Sequence, residues 1–216
     1  MTIERLAIVV AVGPLDRAKS RMGPTLDEVE RRALVLAMLD DVLRAIRQTH
    51  EGSLIVVTPD DDVRPLTKRH QAELLRDHGD GTNAAIVTAI DSATVQSSDA
   101  VLVLQADLPQ LRSTHVDDIR SALTDMHSPG VLLVPNDDGG TSALALLPPN
   151  AMPTAFGTES GSAHHRSARE SGIPLHELPI AALSSDVDTI EDLKRIGQIA
   201  GPSTTTLLEQ LGMVTR

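Results

Sequence analysis

Short apolar runs alternate with amphipathic stretches along almost the whole chain. The apolar runs are rich in Val, Ile and Leu, which is typical of strands that are buried on both faces of a parallel sheet. The stretches between them repeat apolar residues at helical spacing, as Leu34, Met38, Val42 and Ile46 do. This alternation predicts an α/β fold, a single three-layer α/β/α domain over residues 1–216 with a mostly parallel, Rossmann-like sheet.

Capping residues set the starts of two predicted helices. The segment 25–28, Thr-Leu-Asp-Glu, has the pattern of a capping box and predicts a helix that runs to about residue 48. The segment 189–192, Thr-Ile-Glu-Asp, predicts the start of a helix over 189–199 in the same way. Strands are predicted over residues 7–12, 54–58, 72–75, 101–105, 131–134, 142–147 and 175–178, and further helices over 63–70, 83–95, 114–126, 163–171 and 205–211.

Composition and charge exclude several classes of function. The 216 residues carry a net charge of −11, whereas a general nucleic-acid surface would be basic. No apolar stretch approaches the roughly 20 residues of a membrane helix, so no membrane partner is expected. Phe156 is the only aromatic residue, so a nucleobase would have to be recognised by hydrogen bonds rather than by stacking. Cysteine is absent, which excludes disulfides and agrees with a cytoplasmic location.

The predicted strand over residues 101–105 is followed by Ala106-Asp107-Leu108-Pro109. A carboxylate at the carboxyl end of a parallel strand lies in the crevice where open α/β sheets bind ligands. Asp107 is therefore a candidate functional residue. The alternative is that Asp107 only turns the chain or caps the helix that follows.

A basic loop follows the first predicted strand. It contains Gly13, Arg17, Lys19 and Arg21, in a chain that is otherwise acidic. Backbone amides and clustered cations of this kind suit a polyphosphate, although a solvated basic loop would have the same composition. The loop lacks the Gly-x-x-x-x-Gly-Lys pattern of a Walker loop.

Two further aspartates, Asp186 and Asp188, lie in a segment that is predicted to be extended. Alternate residues of an extended segment point to the same side, and carboxylate oxygens are suitable ligands for Mg²⁺. Asp188 and Thr189 are also candidates for the N-cap of the next helix. The residues alone therefore favour Asp107 and Asp186 as metal ligands.

Two loops rich in glycine and hydroxyl groups, over residues 137–142 and 156–162, could present hydrogen-bond donors to a phosphate. A hairpin turn and a helix N-cap are the structural alternatives. His164 and His165 would diverge on a helix, so they are interpreted as surface groups or groups that support the site, not as metal ligands. Asn83 is a candidate for a helix cap or for a hydrogen bond to a base or ribose.

Several short motifs occur in one order between residue 7 and about residue 199. They are Pro14-Leu15-x-Arg17-Ala18-Lys19-Ser20-Arg21, Asn83-Ala84-Ala85, Leu104-Gln105-Ala106-Asp107-Leu108-Pro109, Gly140-Thr141, Phe156-Gly157-x-x-Ser160 with His164, and Asp186-Val187-Asp188-Thr189. In this order they resemble the phosphoenolpyruvate and 2-phospho-L-lactate guanylyltransferases of deazaflavin coenzyme F-420 biosynthesis. The chain departs from that family at Gly13, where a lysine is usual, and in a glycine-threonine loop that is one residue shorter.

The resemblance implies a fold of the nucleotide-diphospho-sugar transferase type. It also implies a reaction in which GTP donates a guanylyl group to the phosphate of a three-carbon acid, with Mg²⁺ as cofactor and pyrophosphate as product. Phosphoenolpyruvate is the favoured acceptor and 2-phospho-L-lactate the alternative. A homodimer is left open by the sequence.

The same resemblance assigns roles to individual residues, in four overlapping groups. Catalysis falls to Asp107, Lys19 and Arg21, and metal binding to Asp107, Asp186 and Asp188. The acceptor would be bound by Thr141, Gly157 and Ser160. The nucleotide would be bound by Gly13, Arg17, Lys19, Arg21 and Asn83.

Two other functions fit the same residues. One is another nucleotidyl or sugar-nucleotide transferase, because a fold alone does not determine the substrate. The other is a non-catalytic GTP-binding protein, which is suggested by Gly13 in place of a cation.

Overall fold

The computed structural model describes residues 3–78, 80–95, 98–197 and 199–214, which form seven strands and seven α-helices. The strands are β1 (Leu6–Ala11), β2 (Leu54–Thr58), β3 (Glu73–Arg76), β4 (Ala100–Gln105), β5 (Gly130–Pro135), β6 (Thr141–Leu147) and β7 (Leu175–Glu177). The helices are α1 (Glu28–Arg47), α2 (Arg64–Arg69), α3 (Thr82–Val95), α4 (Ser113–Asp125), α5 (Ser160–Ser171), α6 (Ile190–Ile196) and α7 (Pro202–Gln210). Within this part of the chain, no helix has the length and apolar character needed to cross a membrane.

The strands form one sheet in the order β3-β2-β1-β4-β6-β5-β7. β6 runs antiparallel to β4 and to β5, and the other neighbouring strands are parallel. Successive residues of β1 face opposite sides of the sheet. Ile8 and Val10 pack with α1, α4 and α7, whereas Val9 and Ala11 pack with α3 and α5. The predicted three-layer, mostly parallel α/β fold is confirmed.

The order of the strands reverses at β1. β2 and β3 extend the sheet on one side of β1, and β4 pairs with its other side. The crevice between the carboxyl ends of β1 and β4 is the position where doubly wound sheets bind ligands. Because β6 is antiparallel to β4, its first residue, Thr141, lies at this same edge of the sheet.

The capping box predicted over residues 25–28 is wrong in its position. α1 begins at Glu28, and its capping box is formed by Asp27 and Glu30. Thr25 is not the cap because the chain is still in a turn at this residue: the backbone N–H groups of Thr25 and Leu26 both donate to the carbonyl oxygen of Met22. The prediction missed this turn, which ends the basic loop.

The bounds of three other helices differ by a few residues from those predicted from the sequence. α5 begins at Ser160 rather than at residue 163, so the small residues interpreted as a loop form its first turn. α6 has the predicted capping box between Thr189 and Asp192 but ends at Ile196. Gln198, in the predicted last turn of that helix, lies outside the described residues. α7 begins earlier than predicted because Pro202 occupies its first position, where the missing N–H costs nothing.

The C-terminal helix α7 is attached to α1 through two buried aspartates, each 3% exposed. Asp41 accepts hydrogen bonds from the backbone N–H groups of Ser203 (2.9 Å) and Thr204 (2.8 Å), and so satisfies the amino end of α7. Asp40 pairs with Arg44 at 2.6 Å and contacts the Ser203 hydroxyl. Polar contacts with α1 therefore accompany the apolar packing of Leu208 in holding α7 in place.

Candidate active site

A cleft of about 310 Å³ lies at the carboxyl ends of β1 and β4. Its lining includes Gly13 and Lys19 from the loop after β1 and Asp107 from the loop after β4. The first loop is anchored at Leu15, whose backbone N–H donates to Asp60 Oδ2 (2.8 Å) just beyond β2. The structure thus brings the basic loop and Asp107 together at the strand-order reversal.

Lys19 connects two acidic segments in this cleft. Its Nζ donates to Asp107 Oδ2 at 2.6 Å and to Asp188 Oδ1 at 2.9 Å, and its side chain is 7% exposed. Burial lowers the pKa of Lys19, but attraction to Asp107 and Asp188 outweighs burial and leaves the pKa above its ordinary value. Lys19 also has a left-handed backbone, with φ of 50°, which is strained for a residue with a side chain. The lysine is therefore a charged group held in a defined place.

The other residues of the basic loop are more exposed. Arg21 donates to Asp188 Oδ2 at 3.2 Å, with its side chain 75% exposed. Arg17 lines the cleft and pairs loosely with Asp16 at 3.9 Å. A Cβ atom on Gly13 would meet no atom within 4 Å, so the position has room for a larger side chain. The loop therefore combines one buried cation, an exposed one that lines the cleft and an exposed one that pairs with Asp188.

Asp188 is not needed as a helix cap. The N-cap of α6 is Thr189, whose hydroxyl accepts from the backbone N–H of Asp192 at 3.2 Å. The carboxylate of Asp188 instead faces Lys19 and Arg21. Of the two alternatives for the cap, the structure selects Thr189.

Asp186 is an unusual carboxylate. Its Oδ1 is buried and has no hydrogen-bond partner, whereas buried polar atoms are normally paired. The pKa of Asp186 is raised to about 7, mainly by burial and next by repulsion from Asp107. In the described part of the chain, no three His, Asp or Glu side chains are grouped as a ready metal site. Asp107 and Asp188 share Lys19 instead.

A second pocket, of about 200 Å³, adjoins the cleft. It is lined by Thr141 at the start of β6, by Gly157 and by Ser160 at the start of α5. At the start of α5 the backbone N–H groups of Ser160 and Gly161 already donate to the carbonyl oxygens of Gly157 (3.2 Å) and Gly139 (3.0 Å), so these two groups are not free for a ligand. This pocket brings together the three residues that the resemblance assigns to the acceptor. Both cavities are also lined by Asp107, Gln105 and Thr82, the last two of which no sequence pattern indicated as binding residues.

Glycines allow the loop between β5 and β6 to pack against α5. The backbone N–H of Gly161 donates to the carbonyl oxygen of Gly139 at 3.0 Å, and a Cβ on Gly161 would lie 2.8 Å from that oxygen. Gly157 has φ of 136°, a conformation that favours glycine. Side chains at these positions would displace the loops that form the second pocket.

His164 and Asn83 have contacts that the sequence did not indicate. Of the two interpretations, surface group or group that supports the site, the second holds for His164, which is fully buried. His165 is exposed and pairs with Glu177 at 2.6 Å. The signal for His164 was its spacing of one helical turn from Ser160 in α5. Asn83 Oδ1 accepts from the backbone N–H of Phe156 at 3.1 Å, so this oxygen holds the pocket loop in place. A role for Asn83 in nucleotide binding stays a prediction.

The fold, with its ligand crevice at the strand-order reversal, is that of the nucleotide-diphospho-sugar transferases. A crystal structure described as a nucleotide-diphospho-sugar transferase of Desulfovibrio desulfuricans superimposes with a TM-score of 0.78 and 16% identity, covering 96% of both chains. A glucosyl-3-phosphoglycerate synthase of Mycobacterium tuberculosis, solved with Mn²⁺ and UDP, has a TM-score of 0.57 at 14% identity over 98% of this chain and 81% of that one. At these identities the likeness establishes the fold alone.

The family model that shares this fold assigns the chain more closely: the chain belongs to the guanylyl transferase CofC-like family, whose model matches residues 6–214. It is 38% identical to a phosphoenolpyruvate guanylyltransferase of Sphaerobacter thermophilus, over 87% of this chain and 90% of the relative. It is 32% identical to a 2-phospho-L-lactate guanylyltransferase of Methanothermobacter thermautotrophicus, over 87% and 82%. A 3-phospho-D-glycerate guanylyltransferase of Colwellia psychrerythraea is 29% identical, over 94% and 96%. The family predicted from the ordered motifs is confirmed.

Proposed function

We propose that this protein is a guanylyltransferase that transfers GMP from GTP to the phosphate of phosphoenolpyruvate and releases pyrophosphate, in the biosynthesis of coenzyme F-420. The observation that carries the proposal is that the two pockets share Asp107, Gln105 and Thr82. A nucleotide in the cleft and an acid in the second pocket would meet beside Asp107. The relative with 38% identity is named for this acceptor.

The proposed reaction does not require the protein to remove a proton from the acceptor. The acceptor phosphate is already ionised near neutral pH, because its second pKa is about 6. One of its oxygens attacks the α-phosphorus of GTP, and the bond from that phosphorus to the oxygen bridging to the β-phosphorus breaks as pyrophosphate leaves. The rate enhancement then comes from positioning the two anions and neutralising their charge.

The cleft supplies positive charge for the triphosphate. Lys19 lies in the cleft with its charge secured by two carboxylates, and the exposed Arg17 and Arg21 add charge in the same loop. These cations attract a nucleotide although the protein as a whole is acidic. Lys19 and Arg21 are the residues that we expect to stabilise the charge that develops on the leaving pyrophosphate.

The second pocket supplies donors for the acid. Thr141 and Ser160 carry hydroxyl groups, and Gly157 lines the same pocket with its backbone. Hydroxyl and backbone N–H groups bind phosphate or carboxylate without adding a charge that would compete for the nucleotide. We therefore assign the acceptor's phosphate and carboxylate to Thr141, Gly157 and Ser160.

The acidic residues of the site fit a divalent cation. Asp186 Oδ1 is buried without a partner, and its carboxyl is disfavoured in the charged form by burial and by Asp107. A hard cation bound by oxygen ligands would relieve both effects. Asp107 and Asp186 would hold Mg²⁺, with Asp188 as the third candidate. When bound, Mg²⁺ supplies positive charge to the triphosphate and the leaving group.

The proposal is tested by incubating the protein with GTP, Mg²⁺ and one acid at a time: phosphoenolpyruvate, 2-phospho-L-lactate or 3-phospho-D-glycerate. We expect pyrophosphate release, a product with the mass of GMP joined to the acid, and the highest kcat/KM with phosphoenolpyruvate. A preference for CTP or UTP would indicate a different nucleotidyltransferase. Binding of GTP without turnover on any acid would indicate a non-catalytic protein.

A pair of variants tests the site itself. Asp107→Asn removes one charge at the junction of the two pockets and is expected to lower kcat by about 10²-fold or more. Asp16→Asn is the matched control, because its carboxylate lies in the same basic loop but is 64% exposed and lines neither pocket. Circular dichroism checks that both variants are folded. Equal activity of the two variants would contradict the assignment of Asp107.

A further inference from the structure

His164 contacts two parts of the wall of the second pocket, which we assign to the acceptor. Its Nε2 accepts a hydrogen bond from the backbone N–H of Ala155 at 3.0 Å, and its Nδ1 lies 3.0 Å from Thr141 Oγ1. Its ring also packs edge-on against Phe156, with the ring centroids 4.8 Å apart. Thr141 and Phe156 both line the pocket, whereas His164 itself is fully buried behind them.

These contacts determine which ring nitrogen carries the proton. A backbone N–H can only donate, so Nε2 must be an unprotonated acceptor. Burial lowers the pKa of His164 to about 4, with His165 adding repulsion, so the ring is neutral at neutral pH. In a neutral imidazole the other nitrogen carries the proton, which here is Nδ1. Nδ1 therefore donates to Thr141 Oγ1.

We propose that His164 is a positioning residue that makes the Thr141 hydroxyl a dedicated donor to the anionic acceptor. Because Oγ1 accepts from His164, the hydroxyl hydrogen of Thr141 must point elsewhere. Within the described residues, the contact with His164 is the only hydrogen bond of this side chain. The hydroxyl hydrogen is thus left for a group in the pocket. The role of the acceptor rests on the proposed function, whereas the direction of the hydrogen bond does not.

This arrangement suits an anion specifically. A carboxylate or an ionised phosphate accepts hydrogen bonds and has no proton to donate, so a hydroxyl that could turn either way would lose part of its binding energy. An Nδ1–H donor behind the hydroxyl removes that freedom before the acid arrives. A neutral ring also adds no charge beside the acceptor, so recognition of the acid depends on the direction of the hydrogen bond from Thr141 rather than on net charge.

His164 also holds the loop of Ala155 and Phe156, so the two effects must be separated. The side-chain amide of asparagine can place an N–H donor near the position of Nδ1. The longer side chain of glutamine can place an oxygen acceptor near the position of Nε2. His164→Asn is thus designed to keep the donor to Thr141, and His164→Gln to keep the acceptor for Ala155.

Steady-state kinetics with phosphoenolpyruvate and GTP compares these variants. For His164→Gln, we expect the KM for phosphoenolpyruvate to rise by about tenfold or more, the effect of one lost hydrogen bond to a charged group. The KM for GTP should stay within about twofold. For His164→Asn, the KM for phosphoenolpyruvate should rise much less, while the thermal midpoint falls because the Ala155 N–H loses its acceptor. In a Thr141→Val background, His164→Gln should cause no further rise.

Nitrogen NMR of the histidine-labelled protein gives a readout that needs no turnover. We expect a protonated Nδ1 and an unprotonated Nε2 for His164 at neutral pH, with its signals assigned by their loss in His164→Gln. A protonated Nε2 would overturn the proposal, as would equal effects of the Asn and Gln variants on the KM for phosphoenolpyruvate. If no acid accepts GMP but Nδ1 is protonated, the proposed function fails and the orientation of Thr141 is retained.

Discussion

Acidification should destabilise this protein through His164, and the size of the effect follows from its burial. The pKa of His164 is lowered from 6.5 to about 4 in the folded state. Between these values the unfolded chain binds a proton that the folded protein excludes, so the free energy of unfolding decreases as the pH falls. The full difference is about 3 kcal/mol, of which about 2–3 kcal/mol is lost by about pH 4.5.

Asp186 has the opposite effect in an overlapping range of pH. Its pKa is raised from 3.8 to about 7, mainly by burial and then by Asp107. Here the folded protein binds the additional proton, so this carboxyl makes the protein more stable as the pH falls from about 7 towards 3.8. The wild-type curve alone therefore contains two opposing contributions. The effect of His164 has to be measured as a difference between proteins.

The assay is urea unfolding followed by far-ultraviolet circular dichroism, because the chain has no Trp or Tyr for fluorescence. Measurements between pH 7 and 4.5 in EDTA keep divalent cations from the carboxylates. Between these limits His164→Gln should lose about 2–3 kcal/mol less of its unfolding free energy than the wild type. Asp186→Asn should lose more than the wild type. His50 and His115, whose pKa values burial also lowers, are present in every protein compared and cancel in the difference.

The reasoning would be refuted if wild type and His164→Gln had the same dependence of unfolding free energy on pH. That result would mean that the ring of His164 titrates normally in the folded protein. A neutral, buried ring is also the basis for assigning the proton to Nδ1, so the unfolding data and the NMR spectrum test the same premise by independent means.

Three further substitutions have defined outcomes. Lys19→Met keeps the buried alkyl chain but removes the cation beside Asp107. Calorimetry without GTP should then show Mg²⁺ binding about tenfold tighter or more, because the lysine no longer competes with the metal for the carboxylates. Unchanged affinity for Mg²⁺ would contradict this competition. Gly13→Lys adds a cation where the structure has room for a side chain. The KM for GTP should then fall by about three- to tenfold. A rise in this KM would show that the position does not face the triphosphate. Asp41→Ala leaves two backbone N–H groups of α7 without an acceptor. It should lower the unfolding free energy by about 1–3 kcal/mol, with little change in the KM values. Unaltered stability would mean that α7 is held by its apolar contacts alone.

The layers of the protein could be predicted from the sequence because their signals are local. A buried parallel strand needs a continuous apolar run, and a helix on its face needs apolar residues at a spacing of three to four. Both patterns are present in segments such as 101–105 and 34–46, and the structure has β4 and α1 there. The order of short motifs was likewise sufficient to predict the family. Local patterns failed where two neighbouring residues competed for one role, as Thr25 and Asp27 did for the cap of α1.

The contacts of the site could not be predicted in this way, because its side chains come from distant parts of the chain. Lys19 contacts Asp107, which is 88 residues away, and Asp188, which is 169 residues away. These pairs depend on the strand order at β1 and on the path of the chain after β7, which periodicity does not specify. The sequence placed His164 in one motif with Ser160, but its buried contacts depend on β6 and on the loop of Ala155.

The sequence by itself determined the α/β layers, the acidic surface, the family and the kinds of side chain available for binding phosphates and a cation. Only the tertiary structure decided that Lys19 joins Asp107 to Asp188, that Asp186 Oδ1 is left without a partner, and that the two pockets meet at Asp107. The physical reason is the range of the interactions involved. Periodicity and capping act between residues within a few positions of each other, whereas desolvation and ion pairing depend on which distant segments the sheet brings to one edge.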